Sequence, residues 1–182
     1  MVNIRKDKQD FTRKNTYLFK FSVMIILITG DLSLNSSLEY DLYRRSDEIS
    51  LIMFGIHIIV QILTFLTLFL MLCDTYLFRV GLLGILFSHF RQVLFMYPVY
   101  IISTILLGGY RLRYTLDGND LWTIHSILPF FFCSSIHKIL AVIFYLLNIR
   151  SALKLADPNF YEKDQWVQLY YEHLQQIGPN LY

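Results

Sequence analysis

The stretch "ISLIMFGIHIIVQILTFLTLFLML" (residues 49–72) decides the fold class. It contains no Asp, Glu, Lys or Arg, and about 20 consecutive apolar residues are enough for a helix to cross the hydrocarbon core of a bilayer. His57 and Gln61 interrupt it, one helical turn apart and therefore on one face. Facing lipid, both would be costly. The expectation is that they face another helix.

Composition extends that reading to the whole chain. Of 182 residues, 55% are hydrophobic and only 16% charged, with 15 Phe and 13 Tyr. Soluble domains carry about 25% charged residues, so this chain has too little polar surface to cover its apolar side chains in water. The class is an integral membrane protein, all-α, built as a four-helix bundle. Its domains are expected as a basic N-terminal segment (residues 1–16), a transmembrane domain (17–149) and a tail (150–182). The spans are expected at about residues 17–38, 49–72, 93–110 and 121–149. The first has a basic flank and a short apolar heart, which also fits a signal peptide. It is read as a retained helix. In the third, Pro98 is expected to kink the helix and Gly108-Gly109 to end it. Pro129 is an expected kink in the fourth. Residues 75–92 are apolar but broken by Arg79, His89 and Arg91, and fit a helical extension or an interfacial helix.

Four spans put both termini on one side. The ends and loops of that side hold most of the Lys and Arg, including Arg5, Lys6, Lys8, Arg13, Lys14, Lys20, Arg150 and Lys154. The other side holds Arg44, Arg45, Arg111 and Arg113. The bias of positive charge predicts cytosolic termini. At 1.5 Å per residue, Asp31 lies about 20 Å into the first helix and Lys138 about 16 Å from the end of the fourth. Each charge alone costs several kcal/mol in hydrocarbon. Similar depths predict an Asp31–Lys138 pair inside the bundle, with His57, Gln61 and His137 able to complete a network. That network either registers the first helix against the fourth or, in the functional reading, carries protons or ions.

The sequence has no H-E-x-x-H, G-x-S-x-G, P-loop or Rossmann glycine pattern. No enzyme activity, metal, cofactor, nucleic acid or small-molecule substrate is expected. Cys73 and Cys133 read as small buried hydrophobes, with Cys73 a candidate for lipidation near a membrane face. Asn35-Ser36-Ser37 is a glycosylation sequon close to the bilayer. In the tail, Asp157 and Pro158 suit the cap and first position of a helix. Phe160, Tyr161, Trp166, Tyr170 and Leu174 would give that helix an apolar stripe. The stripe suits lipid headgroups or a docked partner, and the sequence leaves both open.

The tail stretch "LADPNFYEKDQW", after a fourth span, resembles the transmembrane protein 138 family. So do "GDLSLN" in the first helix, "CDTYLFRVGLLGILFSHFR" after the second and "HKILAVIFYLLNIRSALKL" leading into the tail. The likeness runs from about residue 18 to residue 166. It implies a non-enzymatic protein needed for cilium assembly, at the transition zone of the ciliary base, the ciliary membrane, and transport vesicles or the vacuole membrane. Its implied partners are membrane lipids and other ciliary membrane or trafficking proteins. The alternative from the residues themselves is a small channel or transporter subunit built on Asp31 and Lys138.

Overall fold

A computed structural model describes residues 2–37, 47–76, 78, 83–117, 128–157 and 161. They form four α-helices: α1 (Val2–Ser37), α2 (Asp47–Cys73), α3 (Leu83–Leu116) and α4 (Leu128–Leu155). Each is long and apolar enough to span a membrane, over Thr12–Ser36, Glu48–Cys73, Leu86–Tyr114 and Leu128–Leu155. Helix α1 packs on α2, α2 on α3 and α3 on α4. The protein is therefore a multi-pass membrane bundle.

One spacing explains which side of each helix faces inward. The buried residues step by three and four: Met24, Ile28, Asp31 in α1; His57, Gln61, Thr64, Leu68 in α2; Phe90, Val93, Tyr97, Tyr100, Thr104 in α3; Ser134, His137, Ala141, Phe144, Asn148 in α4. That is the seam along which long helices pack side by side. Polar groups fill much of it, while large apolar side chains point outward: Phe19 is 70% exposed, and Ile26, Phe95 and Leu106 nearly as much. The arrangement suits a lipid solvent, in which apolar surface is cheap and polar groups must find partners inside.

The helix ends depart from expectation in two places. Helix α3 runs through Pro98 and past Gly108-Gly109 to Leu116. Gly108 does not end it; the Phe54 ring of α2 lies where a Cβ at this position would stand. Glycine here permits close approach between helices, its common use in membranes. Pro129 is the second residue of α4, where the missing N–H has no helical partner to lose. Of the two expectations for residues 75–92, a helical extension or an interfacial helix, residues 83–92 follow the first: they are the opening turns of α3. Helix α2 stops where the Thr75 hydroxyl turns back on the Leu72 carbonyl at 2.7 Å and receives the Phe78 N–H at 3.4 Å.

Gly108→Leu is expected to cost about 1–3 kcal/mol through overpacking against Phe54. Gly109→Leu, at a position with open space around it, should be close to neutral. Adding Phe54→Ala should restore much of the Gly108→Leu loss, as read by thermal unfolding in detergent.

Candidate functional site

Asp31 sits at the centre of the bundle and is almost wholly buried. Its Oδ2 accepts hydrogen bonds from the Tyr100 hydroxyl of α3 at 2.9 Å and the Tyr145 hydroxyl of α4 at 2.7 Å. Its Oδ1 lies 3.0 Å from His57 Nε2 of α2. This contact is a close approach of the ring nitrogen and carries no aligned hydrogen bond. One carboxylate thus ties together all four helices.

The cluster continues from there. Gln61 Nε2 lies 3.2 Å from the same His57 nitrogen and donates to Thr104 Oγ1 at 2.9 Å. The Thr104 hydroxyl donates to the Tyr100 carbonyl at 3.0 Å. His137 meets the Ser103 hydroxyl at 2.9 Å through Nδ1, and its ring stacks 5.3 Å from that of Tyr100. One turn further along the seam, the Tyr97 hydroxyl bonds Asn148, whose amide donates to the Phe144 carbonyl at 2.8 Å. A small cavity of about 30 Å³ adjoins His57, Thr104 and His137, is lined as well by Phe54 and Leu107, and reaches Asn35, Ser134 and Arg111. That is room for no more than about two waters.

Lys138 does not join this cluster. It lies on the exposed face of α4, and Asp31 is held by His57, Tyr100 and Tyr145 instead. The reason is axial. Asp31 stands level with Tyr145, and Lys138 lies seven residues, two turns or about 10 Å, away from Tyr145 along the same helix. The tyrosines, Thr104 and Ser103 escaped the sequence reading, although Tyr97, Tyr100 and Thr104 recur at the same three-and-four spacing as the apolar core.

A second cluster gathers at the bundle end that carries both termini. Lys20 pairs with Asp74 at 2.6 Å and also donates to the Leu70 carbonyl at 3.2 Å. The Tyr17 hydroxyl donates to the Ala152 carbonyl at 2.8 Å. Beyond α4, Tyr161 folds back: its hydroxyl donates to the Leu155 carbonyl at 3.0 Å, and the Arg13 guanidinium lies 4.9 Å from its ring centre. Burial, reinforced by the Asp74 charge, pushes the Tyr161 hydroxyl up to about 12, so it remains a donor throughout the neutral range. Asp157 lies in the bend after α4, its N–H on the Lys154 carbonyl at 3.2 Å. Pro158, Phe160, Trp166, Tyr170 and Leu174 lie outside the described residues. Cys73 is half-buried and Cys133 is exposed on α4, not buried as expected. Among the residues described, no His, Cys, Asp and Glu gather as a metal site would require.

The family profile described as Transmembrane protein 138 matches residues 50–169. Two relatives with that name are similar over most of the chain. The one from Danio rerio is 30% identical over 156 residues, covering 85% of this chain and 93% of its own. The one from Mus musculus is 29% identical over 154 residues, covering 84% and 91%. No solved structure matches.

The two buried-charge readings give different mutant outcomes. Asp31→Leu strands two tyrosine hydroxyls and His57, and is expected to cost about 3–5 kcal/mol. Lys138→Leu, on the exposed face, should cost well under 1 kcal/mol. Thermal unfolding of the purified variants in detergent separates them; equal losses would restore the Asp31–Lys138 pair.

Proposed function

The chain belongs to the transmembrane protein 138 family, and from that premise we propose that it is a non-enzymatic scaffold or trafficking factor of ciliary membranes, required for cilium assembly. It would act at the ciliary base and transition zone and on the vesicles that supply them. The observation that carries this reading is the extent of the match. It does not stop at the membrane: it runs past the end of α4 to residue 169, into the tail. A bundle whose central carboxylate is bonded from neighbouring helices supports an anchor, and a tail retained in the match supports a working surface.

The charge bias places that surface in the cytosol in this reading. It would comprise the Lys20–Asp74 and Arg13–Tyr161 cluster together with the aromatic stripe beyond it. Partners would be other ciliary membrane or trafficking proteins. The competing reading is a channel or transporter subunit. Its support is the mid-membrane cluster of Asp31, His57, Gln61 and His137. Against it, Asp31 is bound from three helices and the adjoining cavity has room for only about two waters. That is a packed joint and not a path.

A variant carrying Trp166→Ala and Tyr170→Ala should insert and accumulate normally in ciliated cells but lose its place at the ciliary base and the proteins labelled by a proximity enzyme on the C-terminus. Unchanged location and labelling would remove the tail from the docking role. Labelling confined to non-cytosolic proteins would overturn the orientation.

A further inference from the structure

Helices α3 and α4 flank a groove that the polar cluster touches only through Ser103. It measures about 670 Å³, within the range of about 300–1,000 Å³ usual for small-molecule sites. Its walls are apolar, with Val99, Ile102 and Leu106 from α3 facing Cys133, Ile136 and Leu140 from α4. From Val99 to Tyr110 the groove follows α3 for about 16 Å, or about half the hydrocarbon thickness. It is therefore one leaflet deep, and lies in the leaflet away from the chain termini.

Only its outer end is polar. There Tyr110 lies in the last turns of α3 and stacks on Phe130 in the first turn of α4, with ring centres 5.7 Å apart. The Arg111 guanidinium lies 5.9 Å from the same Phe130 ring. Ser103, deeper in the groove, is already bonded to His137. The shape thus asks for a ligand with a long apolar body and one small polar group at the membrane surface.

We propose that this groove binds a membrane sterol, with the ring system between α3 and α4 and the hydroxyl at Tyr110 and Arg111. A rigid ring system loses few rotamers on entering a fixed groove, whereas a phospholipid acyl chain must freeze many. A second observation agrees. Leu107, Tyr110 and Arg113 follow one another in the order and short spacing of motifs put forward for cholesterol contact. That pattern is loose by itself, but here Leu107 and Tyr110 both line the groove, and Arg113 is in the last turn of the helix.

The test uses the full chain in phosphatidylcholine nanodiscs with a photoreactive cholesterol analogue. Labelling should saturate, be competed by cholesterol, and map to peptides containing residues 99–110 and 129–140. Ile136→Trp and, separately, Leu106→Trp should fill the groove and cut the yield about tenfold, while Ile62→Trp on the lipid face of α2 should leave it unchanged. If a filled variant fails to fold, the peptide map of the unaltered chain decides. Labels spread evenly over the exposed faces of α1 and α2, or displaced no better by cholesterol than by added phosphatidylcholine, would overturn the proposal in favour of bulk acyl chains. Cross-linking of Cys133 between two copies under an added oxidant (copper–phenanthroline), at a rate that cholesterol does not reduce, would overturn it in favour of a dimer.

Discussion

A carboxylate in the middle of a membrane cannot be left to solvent, and the rest of this bundle is arranged around that fact. Asp31 would cost several kcal/mol if it faced lipid. It is met by His57 from α2, Tyr100 from α3 and Tyr145 from α4. Hydrocarbon supplies no hydrophobic force between helices, so close packing and interhelical hydrogen bonds must hold them. Asp31 supplies the second of these for every helix at once. Gly108, with the Phe54 ring against it, supplies an instance of the first.

The same solvent explains how much of the fold could be read beforehand. Four spans and a polar interior followed from composition and from residues 49–72, because hydrocarbon allows so few alternatives. His57 and Gln61 were expected to point inward for the same reason, and they do. Other features failed where a rule for water, or depth counted from uncertain helix ends, was applied. Gly108-Gly109 read as a stop, although in a membrane helix glycine also marks an approach. Lys138 was matched to Asp31 by depth, but Asp31 stands level with Tyr145, two turns away from Lys138 on α4. Tyr100 and Tyr145 were hidden differently. Tyrosine in a membrane sequence suggests the interface; the three-and-four register turns Tyr100 inward, but Tyr145 stands beside the seam and only the structure brings its hydroxyl to Asp31.

Two regions of the surface are left for other molecules once the joint is accounted for. The end bearing the termini is polar and tied down by Lys20, Asp74, Tyr17 and Tyr161, which gives the tail a fixed point of departure. The groove between α3 and α4 opens in the other leaflet and is apolar. Helices tied together at the centre can present both without either disturbing the other. This separation supports the proposed scaffold reading over a transporter, in which the central groups must exchange partners as substrate passes.

The claim that Asp31 is the joint of the bundle is tested most directly by a double-mutant cycle crossing Asp31→Asn with Tyr145→Phe. The readout is the unfolding free energy in detergent micelles. Groups in direct contact show coupling of about 0.5–3 kcal/mol, whereas distant sites add to within about 0.3–0.5 kcal/mol. The account predicts coupling of at least about 1 kcal/mol, with the second substitution costing less once the first is in place. Strict additivity would contradict it, and would mean that the carboxylate of Asp31 is held by something other than the tyrosine facing it.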